Sequence, residues 1–223
     1  MSRIPSHTIN DAPDAARPLL ENLLQFSPTG KPLNLHAQMA HAPAVLEAYV
    51  GIRRATSSPG RLDQRTRVAL MLASAVAAGS QYALAILTML AARAGWGSED
   101  VAALRSGKDA GGEKFARLLR VVREASTSAG RVSDAAWDGA VQAGWSQEEL
   151  AEAFGCLGLS VYTSFFLNYA ATELDIPDAG VAGAGGAAAG AGAQAGVAGA
   201  SVGTAAGTAA GTAAGAGAGA GGE

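Results

Sequence analysis

Apolar residues recur every three or four positions through most of the first 178 residues, and short Gly-, Pro- and Ser-rich breaks interrupt the recurrence. The pattern predicts a first helix over 13–26, with Leu19, Leu20, Leu23 and Leu24 on one face, stopped by Ser27, Pro28, Gly30 and Pro32. A second helix runs from Pro43 to about Thr56, with Pro43 in its first turn and Val45, Leu46, Tyr49 and Ile52 on its apolar side. After the loop Ser57-Ser58-Pro59-Gly60, Asp63 suits the N-cap of a third helix that ends at Gly79. Ser80 then caps a fourth, which Gly95 closes. A short fifth helix starts at Ser98, a sixth spans Glu113 to about Ala129, and a seventh opens at Ser133-Asp134 and stops at Gly144. The run Ser146-Gln147-Glu148-Glu149 reads as a capping box opening a long final helix, roughly Gln147 to Leu174. Gly155 and Gly158 lie inside that helix, where close packing of another helix would offset their low helix propensity. No segment reads as a strand, so the expected fold class is all-α.

The pattern ends near Asp178. Residues 179–223 are almost entirely Ala and Gly, with no aromatic residue, Leu or Ile and with Glu223 as the one charge. Gly-Thr-Ala-Ala recurs from Gly203 to Ala214. Without large side chains to bury, such a segment cannot offset the entropy of ordering it. The expected organisation is a helical domain over 1–178 and a low-complexity flexible tail over 179–223, a spacer or tolerated drift.

Charge and cysteine usage narrow the function classes. A net charge of -3, with scattered Lys and Arg, gives no basis for binding a phosphate backbone. Residues 1–14 hold no apolar core of a secretory signal. The apolar stretch Val68–Leu90 is divided by Gly79, Ser80 and Gln81, which favours two short buried helices over a membrane span. A single cysteine, Cys156, allows neither an intrachain disulfide nor a cysteine metal cluster and fits a cytoplasmic location.

Individual side chains offer few chemical handles. Ser80 lacks a nucleophile-elbow sequence and reads as a helix cap. Cys156 sits among Phe154, Leu157 and Leu159, where a buried inert thiol is the ordinary outcome and a relocated peroxidatic thiol the alternative. His36 and His41 could be metal ligands, but no third ligand is near in sequence; capping or surface roles are favoured, and no metal or cofactor is expected. Tyr82, Tyr162 and Tyr169 could line a ligand pocket or serve as core tyrosines; Trp96, Trp137 and Trp145 stand at helix boundaries, suited to packing between helices or subunits.

A set of ordered segments carries a family resemblance. They are Asn10–Leu20, Met39–Leu46, Leu62–Arg67, Ala94–Trp96 with Leu104–Gly107, Tyr162-Thr163, and Thr172–Pro177. In order and spacing they resemble the carboxymuconolactone decarboxylase family and its alkylhydroperoxidase D-like branch. The resemblance implies an all-α, homo-oligomeric fold and peroxidase or decarboxylase chemistry. It also locates where that chemistry would sit. In the peroxidase branch a glutamate precedes a Cys-x-x-Cys pair and a histidine; those positions fall on Val68, Ser80, Ala83 and Leu87 here. A helix N-terminus lowers a cysteine's pKa, carboxylate and imidazole relay protons, and the second cysteine resolves the sulfenate. The decarboxylase branch places Arg, Glu and His at the equivalents of Ser80, Ala83 and Leu87, and an Asn-His pair near the end of the last helix, which here reads Leu167-Asn168.

None of the expected sulfur or proton-carrying groups is present at these positions. The expectation is therefore a family member without the family's chemistry, acting as a structural, small-ligand-binding or regulatory protein with an apolar pocket, and with no nucleic-acid or membrane partner. The alternative is a family enzyme of antioxidant or aromatic-acid metabolism that works through displaced residues, Cys156 the weak candidate thiol.

Overall fold

The computed structural model describes residues 1–176, so the Ala/Gly-rich segment 179–223 and the domain boundary expected at 178 lie outside the described residues. Among the described residues there are nine helices and no strand. They are α1 (Arg17–Leu24), α2 (Asn34–Met39), α3 (Pro43–Ser57), α4 (Gln64–Ala78), α5 (Gln81–Arg93), α6 (Ser98–Arg105), α7 (Glu113–Thr127), α8 (Asp134–Gln142) and α9 (Gln147–Ala170).

The caps read from the sequence fix most boundaries. Asp63 accepts from the Thr66 N–H, Ser80 from the Ala83 N–H and Ser133 from the Ala136 N–H. Ser146 and Glu149 close the full capping box at the start of α9. Gly79, in the left-handed region at φ 62°, turns the chain from α4 into α5.

Three expectations are corrected. The first helix begins at Arg17 rather than Pro13: Pro18 suits the first turn, residues 13–16 form a separate turn closed by the Ala16 N–H on the Pro13 carbonyl, and the Arg17 side chain donates back to the carbonyls of Ile9 and Ala12. The six-residue α2 has too short an apolar pattern to be read from sequence. The last helix stops at Ala170, four residues early. Ala171 takes a left-handed conformation, and the segment after it folds back over the start of α5. There Thr172 Oγ1 donates to Gln38 Oε1 at 2.6 Å, and the Asn34 N–H donates to Asp175 Oδ2 at 2.7 Å. The Tyr82 hydroxyl donates to Asp175 Oδ1, and Ile176 packs with Leu33 and Ala85.

α4 lies at the centre. Its buried residues include Arg67, Val68, Ala69, Leu70, Leu72, Ala73, Ser74 and Ala75, a helix covered on nearly every side. It packs most extensively on α9, then on α5 and α7. Four hydrogen bonds, at three points, set its register on α9. Glu152 accepts from the Arg61 and Leu62 N–H groups, Ser160 Oγ donates to the Met71 carbonyl, and Asn168 Nδ2 donates to the Ala78 carbonyl. Both helices advance together along these pairs, so they run parallel. The packing expected at the two α9 glycines is found at one: Gly155 faces Thr56 of α3, while Gly158 has open space where a side chain would begin.

α9 is also the one described helix long and apolar enough to cross a membrane. One face of it packs on α3, α4, α5 and α7. The stretch Val68–Leu90, read from the sequence as two short buried helices, is the α4–α5 pair.

The Glu152 carboxylate, with Arg67 at 3.9 Å, ties the α3–α4 loop to α9. Glu152→Gln leaves one acceptor and turns a donor toward a backbone donor. Urea unfolding should show a loss of about 1–3 kcal/mol with an unchanged m-value.

Candidate functional site

The turn between α4 and α5 brings the family-type positions together. Val68 on α4, Ser80 at the cap, and Ala83 and Leu87 on the first turns of α5 all belong to the main hydrophobic core or border it. They are 1%, 1%, 3% and 8% exposed. The Ser80 hydroxyl is occupied as the cap of α5, accepting from the Ala83 N–H at 3.5 Å. Asn168 is spent on the last carbonyl of α4, at 2.9 Å. The returning segment 172–176 lies over this corner through Asp175 and Ile176. Burial and the Asp175 carboxylate both push the Tyr82 hydroxyl's pKa well above its ordinary value, so Tyr82 stays protonated and donates.

Cys156 is 2% exposed, one turn along α9 from Glu152. Burial is the main reason its thiol pKa rises, to about 11, with the Arg67 charge opposing. A nucleophilic cysteine needs the reverse, an exposed and electropositive setting. Arg67 and Glu152, which surround it, were not picked out by sequence reasoning. Their signal is a charged residue inside an otherwise apolar helical face, which a single sequence cannot separate from a surface charge.

The remaining candidates are dispersed. His36 is buried, with Nε2 3.2 Å from the Tyr49 hydroxyl, whereas His41 is exposed and contacts the Pro5 carbonyl at 2.8 Å through its own Nε2. Among the described residues no three His, Cys, Asp or Glu side chains gather as a ligand set. Tyr162 donates to the Val45 carbonyl and Tyr169 stands in solvent, so the three tyrosines do not share a cavity. Trp96 and Trp145 are tied to the Arg65 and Lys114 carbonyls through their indole N–H groups, while Trp137 is exposed.

Two clefts open on the surface. One, of about 400 Å³, lies where the starts of α4 and α9 meet the α6–α7 loop and includes Arg65, Trp96, Lys114 and Trp145. The other, of about 420 Å³, is lined by charged residues of α7 and the preceding loop. Neither is lined by Val68, Ser80, Ala83, Leu87 or Cys156.

Residues 43–124, from α3 to the end of α7, match the model of the carboxymuconolactone decarboxylase family. Over that stretch, 82 of the 223 residues, the chain is similar to that family. Solved structures agree on the fold. The alkylhydroperoxidase AhpD core of an uncharacterized peroxidase-related protein from Ralstonia eutropha JMP134 superposes with a TM-score of 0.66 at 16% identity, over 78% of this chain and 92% of that one. A cysteine-to-alanine variant of the debrominase Bmp8 in complex with 2,3,4-tribromopyrrole gives 0.63 at 17% identity, over 78% and 92%. The apo form of Bmp8 gives 0.62 at 18% identity, over 76% and 90%. No curated protein sequence matches the chain. At these identities the carboxymuconolactone decarboxylase-family likeness to the solved structures is one of fold.

His36 supplies a titration that needs no ligand. Burial, reinforced by the Arg53 charge, lowers its pKa from 6.5 to about 3, so the folded protein holds it neutral while the unfolded chain protonates. The unfolded state therefore binds more protons between these values, and stability falls as pH drops through that window. From pH 7 to pH 5 this group alone should cost about 2 kcal/mol in denaturant unfolding. His36→Gln should flatten that part of the pH profile.

Proposed function

We propose that this chain is a non-catalytic member of the carboxymuconolactone decarboxylase family, a structural subunit that associates with itself. The observation that carries the reading is the burial of Val68, Ser80, Ala83 and Leu87 in packed core, with the Ser80 hydroxyl spent on a helix cap. The resemblance aligns these positions with the groups that would take up, relay and resolve electrons and protons. Val, Ala and Leu side chains carry neither, and a buried serine has no sulfenate chemistry. The Cys156 thiol is withdrawn from solvent and held protonated, which argues against a displaced thiol mechanism.

The self-association rests on the outward face of α9. Phe154, Phe165 and Tyr169 are 67%, 60% and 73% exposed on one stripe, separated by Gly158 and Val161. The stripe spans about 22 Å of helix. Residues 153–172 contain no charged side chain. Three aromatic side chains at this exposure leave roughly 400 Å² of ring surface in water. That is about half of one partner's share of a standard interface. A second copy is the occupant that fits: a two-fold pairing places the same apolar stripe against itself and brings no like charges together. It also gives Gly158 a neighbour, so that two helices could approach closely there.

A hydroperoxide reductase assay with a thiol-regenerating system, run on the purified full chain, should show no turnover above the protein-free control. Turnover that disappears in Cys156→Ser would restore the displaced-thiol enzyme. Turnover that survives it would restore an enzyme of another kind; either result overturns the proposal. For assembly, sedimentation at micromolar concentration should show a dimer or larger species. Phe165→Lys, on an exposed position, should shift it to monomer with an unchanged helical circular dichroism spectrum. A wild-type monomer, or co-flotation of the chain with phosphatidylcholine vesicles, would overturn the second-copy assignment.

A further inference from the structure

The cleft at the shared start of α4 and α9 stands apart from the α4–α5 corner, at the opposite end of α4. Leu62, Trp96 and Phe115 are buried residues in its lining, with the Trp96 and Phe115 ring centroids 5.3 Å apart. Gly111 lies directly on these rings at φ 72°. A Cβ there would come within 2.7 Å of Trp96 and 2.9 Å of Phe115, so the α6–α7 loop approaches as closely as backbone can. Trp145 forms part of the wall.

Charge at the mouth is unevenly committed. Arg61, Arg65 and Lys114 are exposed on the lining. Among the described residues none of the three has a carboxylate within ion-pair distance, whereas the N-terminal amine and five other arginines, including Arg17, Arg67 and Arg123, do. Arg65 and Lys114 instead lie over indole rings, 4.1 Å from the Trp96 centroid and 4.5 Å from that of Trp145. The two carboxylates of the lining are turned toward backbone amides, although the Asp63 charge is still felt by Arg65. Asp63 accepts from the Thr66 N–H at 2.7 Å, and Glu149 accepts from the Ser146 N–H at 2.7 Å. The N-terminal end of the fifteen-residue α4 opens on the same space and adds positive potential.

We infer that this cleft binds a small organic anion with a flat apolar body. The aromatic residues supply a stacking surface, and Arg61, Arg65 and Lys114 supply the positive charge that an anion would pair with. A volume of about 400 Å³ is within the range of small-molecule sites. The assignment is independent of whether the chain catalyses a reaction or pairs with a second copy.

The chain has three tryptophans, which makes the test direct. Their indole N–H resonances can be assigned by single Trp→Phe variants and followed by NMR during titration of the wild type with sodium benzoate at constant ionic strength. The Trp96 and Trp145 signals should shift saturably while Trp137, outside the cleft, stays in place. Benzyl alcohol, flat but neutral, and acetate, charged but without a ring, should each bind much more weakly. Arg65→Gln and Lys114→Gln, both at exposed positions, should each weaken benzoate about tenfold with unchanged thermal unfolding. No saturable shift up to about 10 mM benzoate would overturn the inference. So would equal binding of benzyl alcohol, a Trp137 shift matching the other two, or no effect of either variant.

Discussion

The parallel seam between α4 and α9 is the constraint on which the rest of the molecule depends. Three tie points, at sequence separations of 90, 89 and 90 residues, hold the two helices in one register from end to end. Each addresses a backbone group, so none depends on the identity of a large partner side chain. Glu152 satisfies two amides ahead of α4, and Asn168 satisfies one of the carbonyls that every helix end leaves without an internal partner. Between these ends the contact is made by small residues, among them Ala73, Ser74, Ala75, Ala153, Ser160 and Ser164, which let the helices come close. Once α4 is held this way, α5, α6 and α7 pack on its other sides and complete one core.

That seam also determines what the α4–α5 corner can do. A reactive group there would need free amides at the head of α5, access to solvent and a proton acceptor nearby. Instead the Ser80 oxygen takes an amide of the first turn, Asn168 takes the end of α4, and the chain beyond α9 lies over the start of α5. Three pairs of polar side chains in this quarter of the molecule bond to each other, His36 with Tyr49, Tyr82 with Asp175 and Thr172 with Gln38, while the buried Ser74 and Ser164 hydroxyls have no partner among the described residues.

The helices legible in the sequence were those with at least two turns of apolar periodicity set off by a capping side chain, a proline or a glycine, and for α3 to α8 the boundaries fall within a residue or two. What escaped has a common physical origin. α2 is six residues long and is held by tertiary contacts, His36 and Gln38 being buried by neighbours distant in sequence. The early end of α9 follows from the Asp175 and Thr172 hydrogen bonds to the α2 region and α5, partners more than ninety residues away, which no local propensity encodes. Gly155 and Gly158 are three residues apart, yet only one meets another helix, because the rotation of α9 about its axis is set by the seam. For the candidate site, the sequence located the corner and its side-chain types. It could not locate the cleft, whose lining comes from α4, the α6–α7 region and α9, and whose cations are noticed only when their carboxylate neighbours are found engaged elsewhere.

The absence of charge over residues 153–172 calls for two explanations, because α9 has two faces. The inward one holds Cys156, Leu159, Ser160, Ser164 and Leu167, and burial against α4 accounts for it. The outward one holds Phe154, Phe165 and Tyr169, and nothing in the fold of a single chain requires aromatic residues there. A solvent-facing helix surface is cheaply made from Lys, Glu and Gln, which are good helix formers and cost nothing in hydration. Mean hydropathy cannot distinguish a core helix from a membrane span or an interface helix, since all three lack charge. The rotation of the helix can. With one face committed to α4, the exposed aromatic stripe is surface left over after the described residues have packed, and it is this remainder on which the proposed pairing with a second copy rests.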